Sequence, residues 1–176
     1  MKRLIPVILL LITRLALSEC FYAPQASREN NLPPGISADR IIVIKSKRTL
    51  TLLKNDHILK TYTISLGGQP VGPKTREGDH KTPEGDYVID TRNVKSKFHL
   101  ALHVSYPNAA DIARAGKQRV PPGGAIMIHG LPKGYDWVRS ASKVGDWTDG
   151  CIAVTNREIE EIWRAVPNGT PIEIRP

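Results

Sequence analysis

Residues 146–156 read Asp146-Trp147-Thr148-Asp149-Gly150-Cys151-Ile152-Ala153-Val154-Thr155-Asn156, DWTDGCIAVTN. The stretch holds one of only two cysteines in the chain, behind a glycine and ahead of a helix start. Thr155 and Glu158 have capping-box spacing, and Val154 and Ile159 sit where a hydrophobic staple would pack. Ile159, Ile162, Trp163 and Val166 then recur at i, i+3, i+4 and i+7, which gives a helix with one buried stripe. Pro167-Asn168-Gly169 stops it, and Pro171-Ile172-Glu173-Ile174 reads as a closing edge strand. The cysteine is therefore delivered by a tight turn onto the head of a helix.

Upstream the pattern is strand-rich. Fourteen glycines and fourteen prolines spread over 176 residues imply many turns between short elements. Ile41–Ile44 is a short apolar strand. Leu50–Leu53 and a run ending near Leu66 flank Asn55-Asp56, a hairpin signal. In that run Tyr62, Ile64 and Leu66 alternate with polar residues, the period of a strand with one inward face. A polar loop through Gly72, Gly78-Asp79 and Thr82-Pro83-Glu84-Gly85 follows, and Asp86–Thr91 resumes as a strand. Leu100, Leu102, Val104 and Tyr106 alternate with His99, Ala101, His103 and Ser105. Asp111–Ala115 suits a short helix, and Ala125–His129 is a strand whose last residue abuts Gly130. The fold class is mainly β.

The first 18 residues differ from the rest. Lys2-Arg3 precede the apolar run Leu4–Ile12, and Ala16-Leu17-Ser18 offers small residues for cleavage, so 1–18 reads as a secretory signal or anchor. Cys20 marks a secondary lipidation reading. Residues 19–39, with Pro24, Asn30-Asn31, Pro33-Pro34-Gly35 and no apolar period, read as a linker, and 40–176 as one domain. Loss of Lys2, Arg3 and Arg14 would lower the formal charge from +8 to +5. A mildly basic exported domain suits an anionic envelope polymer, and no basic run is dense enough to argue for nucleic acid. Membrane contact is expected only through the N-terminal segment, and the domain is expected to be a monomer.

Cys151 and His129 together supply a chemistry. A thiol in a glycine turn beside an imidazole at a strand end is the minimal set for covalent acyl transfer: the base takes the proton and sulfur attacks a carbonyl. Spacing alone also suits a small buried cysteine and a hydrogen-bonded core histidine. Two further features bear on the choice. His129-Gly130 followed by Thr148-x-Gly150-Cys151-Ile152 resembles the signature of the L,D-transpeptidase (YkuD-type) catalytic domains. Lys81-Thr82-Pro83-Glu84-Gly85-Asp86-Tyr87 is similar to that family's upstream turn and strand.

The resemblance implies a β-sandwich-like domain with one helix near the C-terminus packed on the sheets. It implies a peptidoglycan L,D-transpeptidase in which Cys151 is the nucleophile and His129 the base. A stem tetrapeptide would form a thioester, release D-alanine and pass its acyl group to an amine, giving a 3–3 cross-link or protein attachment. Gly150, with Asp149 and Gly130, would shape the oxyanion site; Thr148, Trp147, Tyr135 and Lys81 would touch substrate. No metal or organic cofactor is implied, carbapenem-type β-lactams are expected to acylate the thiol, and the periplasm or envelope is the expected location.

Two positions depart from the pattern: Asp149 stands where the family has histidine, and Ala153 where it often has arginine. An ionised Asp149 aimed at Cys151 would oppose a thiolate, so it is expected to face away, onto a backbone N–H, Arg139 or a substrate amine. Two other functions stay open: a hydrolase using the same dyad on stem-peptide bonds, and a non-catalytic wall-binding module. A zinc site from Asp79, His80, His99 and His103 has weak ligand spacing. Those two strand histidines are expected to face water or line a groove, and Lys81 and Arg76 to meet stem carboxylates or solvent.

Overall fold

In the computed structural model the described residues are 31–135, 137–138, 140–141 and 144–176. The leader, Cys20 and Arg139 readings lie outside them. Eight strands follow in chain order: β1 (Arg40–Ile44), β2 (Thr49–Lys54), β3 (His57–Thr63), β4 (Gly85–Ser96), β5 (His99–Val104), β6 (Met127–His129), β7 (Ile152–Ala153) and β8 (Pro171–Arg175). Helix α1 (Ala109–Lys117) lies between β5 and β6, and α2 (Asn156–Ala165) between β7 and β8. The strands form one curled sheet in the order β3-β2-β1-β8-β4-β5-β6-β7.

Local chemistry accounts for the turns. Asn55 and Asp56 link β2 to β3 with φ of 50° and 63°, the paired left-handed conformation of a two-residue hairpin that these side chains tolerate. Two register shifts in β4, one between Ile89 and Thr91 and one between Asn93 and Ser96, bend this twelve-residue strand. It therefore pairs with β8 at one end and β5 at the other.

The strand from Tyr62 to Leu66 does not continue as expected. β3 ends at Thr63, and the chain leaves the hairpin to bond the far end of the sheet order. Ser65 and Ala153 exchange N–H···O bonds of 2.8 and 2.9 Å. The Thr148 N–H donates to Leu66 O, and the Gly68 N–H to Thr148 O. These links curl the sheet around its core and tie the segment after β3 to the turn before Cys151.

β8 is not an edge strand. It runs parallel to β1 and antiparallel to β4, with Ile172 and Ile174 buried. Pro171 is tolerated because it is the first residue of the strand, where the missing N–H matters least.

One apolar cluster fills the interior, from Ile41, Val43, Leu50 and Leu52 through Ile89, Leu102, Val104 and Ile128 to Ile152, Val154, Ile159 and Ile162. Helix α2 packs against β5 and β6. Its capping box forms as the sequence indicates: Thr155 Oγ1 accepts the Glu158 N–H, and Glu158 accepts the Thr155 N–H. The last residues of the segment read as a linker are docked on this helix. The Ala38 N–H donates to Ala165 O at 2.7 Å, the Leu32 N–H donates to buried Glu161, and Leu32 and Ile36 lean on the core. Among the described residues no helix is long and apolar enough to cross a membrane.

Candidate active site

Strands β6 and β7 are parallel, with Ile128 opposite Ile152 and His129 opposite Ala153. Extending that register back by one residue sets Met127 beside Cys151. Side chains alternate along strands, so Cys151 and His129 lie on one face of the pair, diagonal to each other. Twenty-one residues of chain lie between them in sequence, and two hydrogen-bonded strands bring them together.

His129 is 2% exposed. Its ring stacks on Phe98, with centroids 4.5 Å apart and planes at 28°, and meets the edge of Trp147 at 5.8 Å. Nδ1 lies 2.6 Å from Gly130 O. A carbonyl can only accept, so Nδ1 carries the proton, and in the neutral ring Nε2 keeps its lone pair. Gly130 has to be glycine, because a Cβ would sit 2.6 Å from Asn156 Oδ1 and 2.9 Å from Ile159 Cγ2. The same Asn156 Oδ1 accepts the Leu131 N–H at 2.7 Å, so the head of α2 fixes the chain just after the histidine.

The cysteine turn is held from three sides. Buried Thr148 donates through Oγ1 to Cys151 O at 2.8 Å and accepts the Gly150 N–H at 3.1 Å. Gly150 has φ of +129°, and a Cβ there would lie 2.6 Å from Lys81 O. Gly67 is equally constrained, since its Cβ would lie 2.2 Å from His80 O. Three backbones thus cross within contact of the turn: Gly67, His80-Lys81 and Gly150. The Cys151 thiol points at Ala125 O, 3.5 Å away.

The Gly150 N–H is spent on Thr148. Among the described residues the Asp149 and Cys151 N–H groups have no hydrogen-bond partner.

The sequence model of the L,D-transpeptidase catalytic domain (YkuD) matches residues 38–174. The chain belongs to this family. It is 33% identical over 132 residues to YafK of Escherichia coli strain K12, covering 72% of this chain and 46% of YafK. It is 29% identical over 143 residues to YkuD of Bacillus licheniformis, covering 78% of this chain and 66% of that protein. Both relatives carry the L,D-transpeptidase name as an assignment. Among solved structures, the helical cell shape determining protein Pgp2 of Campylobacter jejuni superposes with a TM-score of 0.57 at 24% identity, over 84% of this chain and 51% of Pgp2. This chain spans about half the length of YafK and of Pgp2.

Within this family domain burial shifts both members of the pair toward their uncharged forms. Burial lowers the His129 pKa below its ordinary value, against a smaller opposing effect of the Gly130 hydrogen bond. Burial raises the Cys151 thiol, and the Asp149 charge adds to that. The Met127 N–H and the Lys74 ammonium act the other way. With the thiol pushed up and the imidazole pushed down, each group favours its uncharged form.

Among the described residues the Asp149 side chain meets His80. Its Oδ1 accepts from His80 Nδ1 at 2.8 Å, and the side chain is 92% exposed. Ala153 is fully buried between β6 and Ser65, so this position supplies no charge to the site. Trp147 borders the site through His129 and Phe98. Tyr135 shares an apolar recess with Trp147, Leu131, Pro132 and Val144, and stacks on exposed Trp137. Lys81 contributes its backbone to the turn. His99 and His103 bond Glu160 and Asp90, far apart from His80 in their partners, and no group of metal-ligating side chains forms among the described residues.

Two buried cations escaped the sequence reading. Lys45 Nζ donates to Gly72 O, Thr82 O and Glu84 Oε1 at 2.7–2.9 Å, which uses all three protons. Its signal was readable: Ile41, Val43 and residue 45 share one strand face. Lys74, also buried, pairs with Asp79 at 2.7 Å. Asp79 further accepts the N–H groups of Thr75, Arg76 and Lys81. Burial pushes that carboxyl up, but Lys74 and the three N–H groups hold it down at about 2. The pair braces the loop that presents His80 and Lys81 to the cysteine turn.

Proposed function

We propose that this domain is a peptidoglycan L,D-transpeptidase with Cys151 as nucleophile and His129 as base. The observation that carries the reading is the His129 Nδ1–H bond to Gly130 O, which leaves Nε2 as the acceptor on the strand face shared with Cys151. In the first step the Cys151 sulfur attacks the carbonyl between stem residue three and D-alanine while Nε2 takes the thiol proton. The oxyanion forms against the Asp149 and Cys151 N–H groups. Collapse expels D-alanine, which leaves with the proton from Nε2, and a thioester remains. An amine then attacks the thioester, gives its proton to Nε2, and the amide product departs as the thiol is restored.

The alternative acceptor is water, which makes the domain a hydrolase on stem-peptide bonds. The absence of a cation at Ala153 supports keeping this reading, because a fully buried alanine offers no clamp for a carboxylate-bearing partner. Export to the cell envelope belongs to the same proposal. Incubation of the full chain with tetrapeptide muropeptides and mass spectrometry of the products tests it. Cross-linked dimers plus free D-alanine support transfer. Trimmed monomers alone replace it with hydrolysis, and unchanged substrate refutes both.

A further inference from the structure

Asp149 sits one residue before Gly150-Cys151, yet the fold makes little use of it. Among the described residues it caps no backbone N–H, and its one hydrogen bond runs from His80 Nδ1 to Oδ1. Among the described residues Oδ2 has no partner, and the side chain is 92% exposed. His80 itself is firmly placed: its carbonyl accepts the Gln69 N–H and lies against Gly67, and its neighbour Asp79 is bonded to Lys74 and three N–H groups. A braced loop thus holds one oxygen of the carboxylate at the rim of the cysteine turn, and among the described residues the other oxygen is unpaired.

This charge works against the chemistry proposed above. It raises the cost of forming a thiolate at Cys151, and the opposing cation Lys74 is already committed to Asp79. An asparagine would accept the same His80 hydrogen bond without that cost. A carboxylate so placed gains a use when the ligand brings a compensating positive charge. That charge at the site cancels the penalty on the thiolate and gives a preference among substrates.

Resting on the reading of Cys151 as the nucleophile, we propose that Asp149 is a specificity-determining residue that selects substrates carrying a protonated primary amine beside the scissile or acceptor group. The ammonium comes from the side chain of the donor stem or from the incoming acceptor, and both share the chemistry that Asp149 recognises.

The test begins with thiol–disulfide exchange at Cys151, which needs no peptidoglycan. The rate with cystamine, a cationic disulfide, is divided by the rate with bis(2-hydroxyethyl) disulfide, which is neutral. In Asp149→Asn this ratio is expected to fall about fourfold or more at low salt, the size of one unscreened charge contact near water. High salt is expected to shrink the difference. The second arm measures D-alanine release from tetrapeptide muropeptides with free or acetylated side-chain amines, and the third measures transfer to an amine acceptor. A KM increase in Asp149→Asn confined to the free-amine donor assigns the ammonium to the donor. Unchanged D-alanine release with slower transfer assigns it to the acceptor. An unchanged disulfide ratio in Asp149→Asn overturns the proposal. If wild-type protein is inert on muropeptides, the function proposed above fails, and the disulfide ratio still decides the role of Asp149.

Discussion

Replacing Asp79 by asparagine should destabilise the domain through a charge that sits next to, but not in, the chemistry. The Lys74 and Asp79 side chains are 4% and 6% exposed, so the variant leaves an ammonium buried without a counter-charge. Breaking a buried pair from one side costs about 3–5 kcal/mol. The proton linkage gives a second, independent figure. Asp79 moves from 3.8 to about 2 on folding, which corresponds to about 2.4 kcal/mol at neutral pH as an upper value. The sign follows from the depressed folded value. The stabilisation is complete above about pH 4 and is lost as pH falls toward 2. Urea unfolding followed by tryptophan fluorescence should then place Asp79→Asn about 2–4 kcal/mol below wild type at pH 7, a midpoint about 1–2 M lower. The gap should narrow as the pH falls through the 4-to-2 window. Changing Lys74 to methionine in the same molecule should recover part of the loss, because the orphaned charge goes with it. A loss under 0.5 kcal/mol, or a gap that stays constant to pH 2, would refute the reasoning.

Four further outcomes follow from the geometry. Activity should require neutral His129, and since burial lowers its pKa the acid limb of the D-alanine-release profile should lie below the ordinary imidazole value of about 6.5; a limb above it contradicts the assignment. His129→Ala should lose about 10²–10⁴-fold in the same assay, with a lowered unfolding midpoint measured alongside, since the ring is buried against Phe98, and with activity assayed well below that midpoint. Gly150→Ala forces a Cβ to 2.6 Å from Lys81 O at a φ open mainly to glycine, so carbapenem acylation read by intact mass should slow about 10²-fold. Thr155→Ala removes the side-chain half of the α2 capping box, leaving the backbone N–H of residue 155 to Glu158, and should cost about 1 kcal/mol in urea unfolding, with acylation retained.

Much of the fold was legible because local rules and tertiary structure agree. The Asn55-Asp56 hairpin, the Thr155–Glu158 capping box and the apolar stripe of α2 are set by residues within a few positions of each other, and each stands where the pattern places it. Pairing across the sheet was not legible. Pro171 suggested an edge, yet β8 is central, since a proline at a first strand residue leaves every later N–H free to bond. The exit of the chain from β3 toward β7 depends on Gly67 fitting under His80, a contact between residues that no short-range pattern links. At the site, a strand end and a glycine turn marked His129 and Cys151. The partners that surround them came from the same kind of distant contact: Phe98 against the ring, Thr148 across the turn, and His80 on Asp149. Lys74 and Asp79 read as loop polar residues because burial of an ion pair leaves no periodic trace in sequence.

The central claim is that the Cys151 sulfur carries the reaction. The most direct measurement is D-alanine release from tetrapeptide muropeptides by wild type and by Cys151→Ala, with the urea unfolding midpoint of each protein taken in parallel. The account predicts release by wild type, none by Cys151→Ala, and midpoints that agree. Release by a folded Cys151→Ala protein would contradict it.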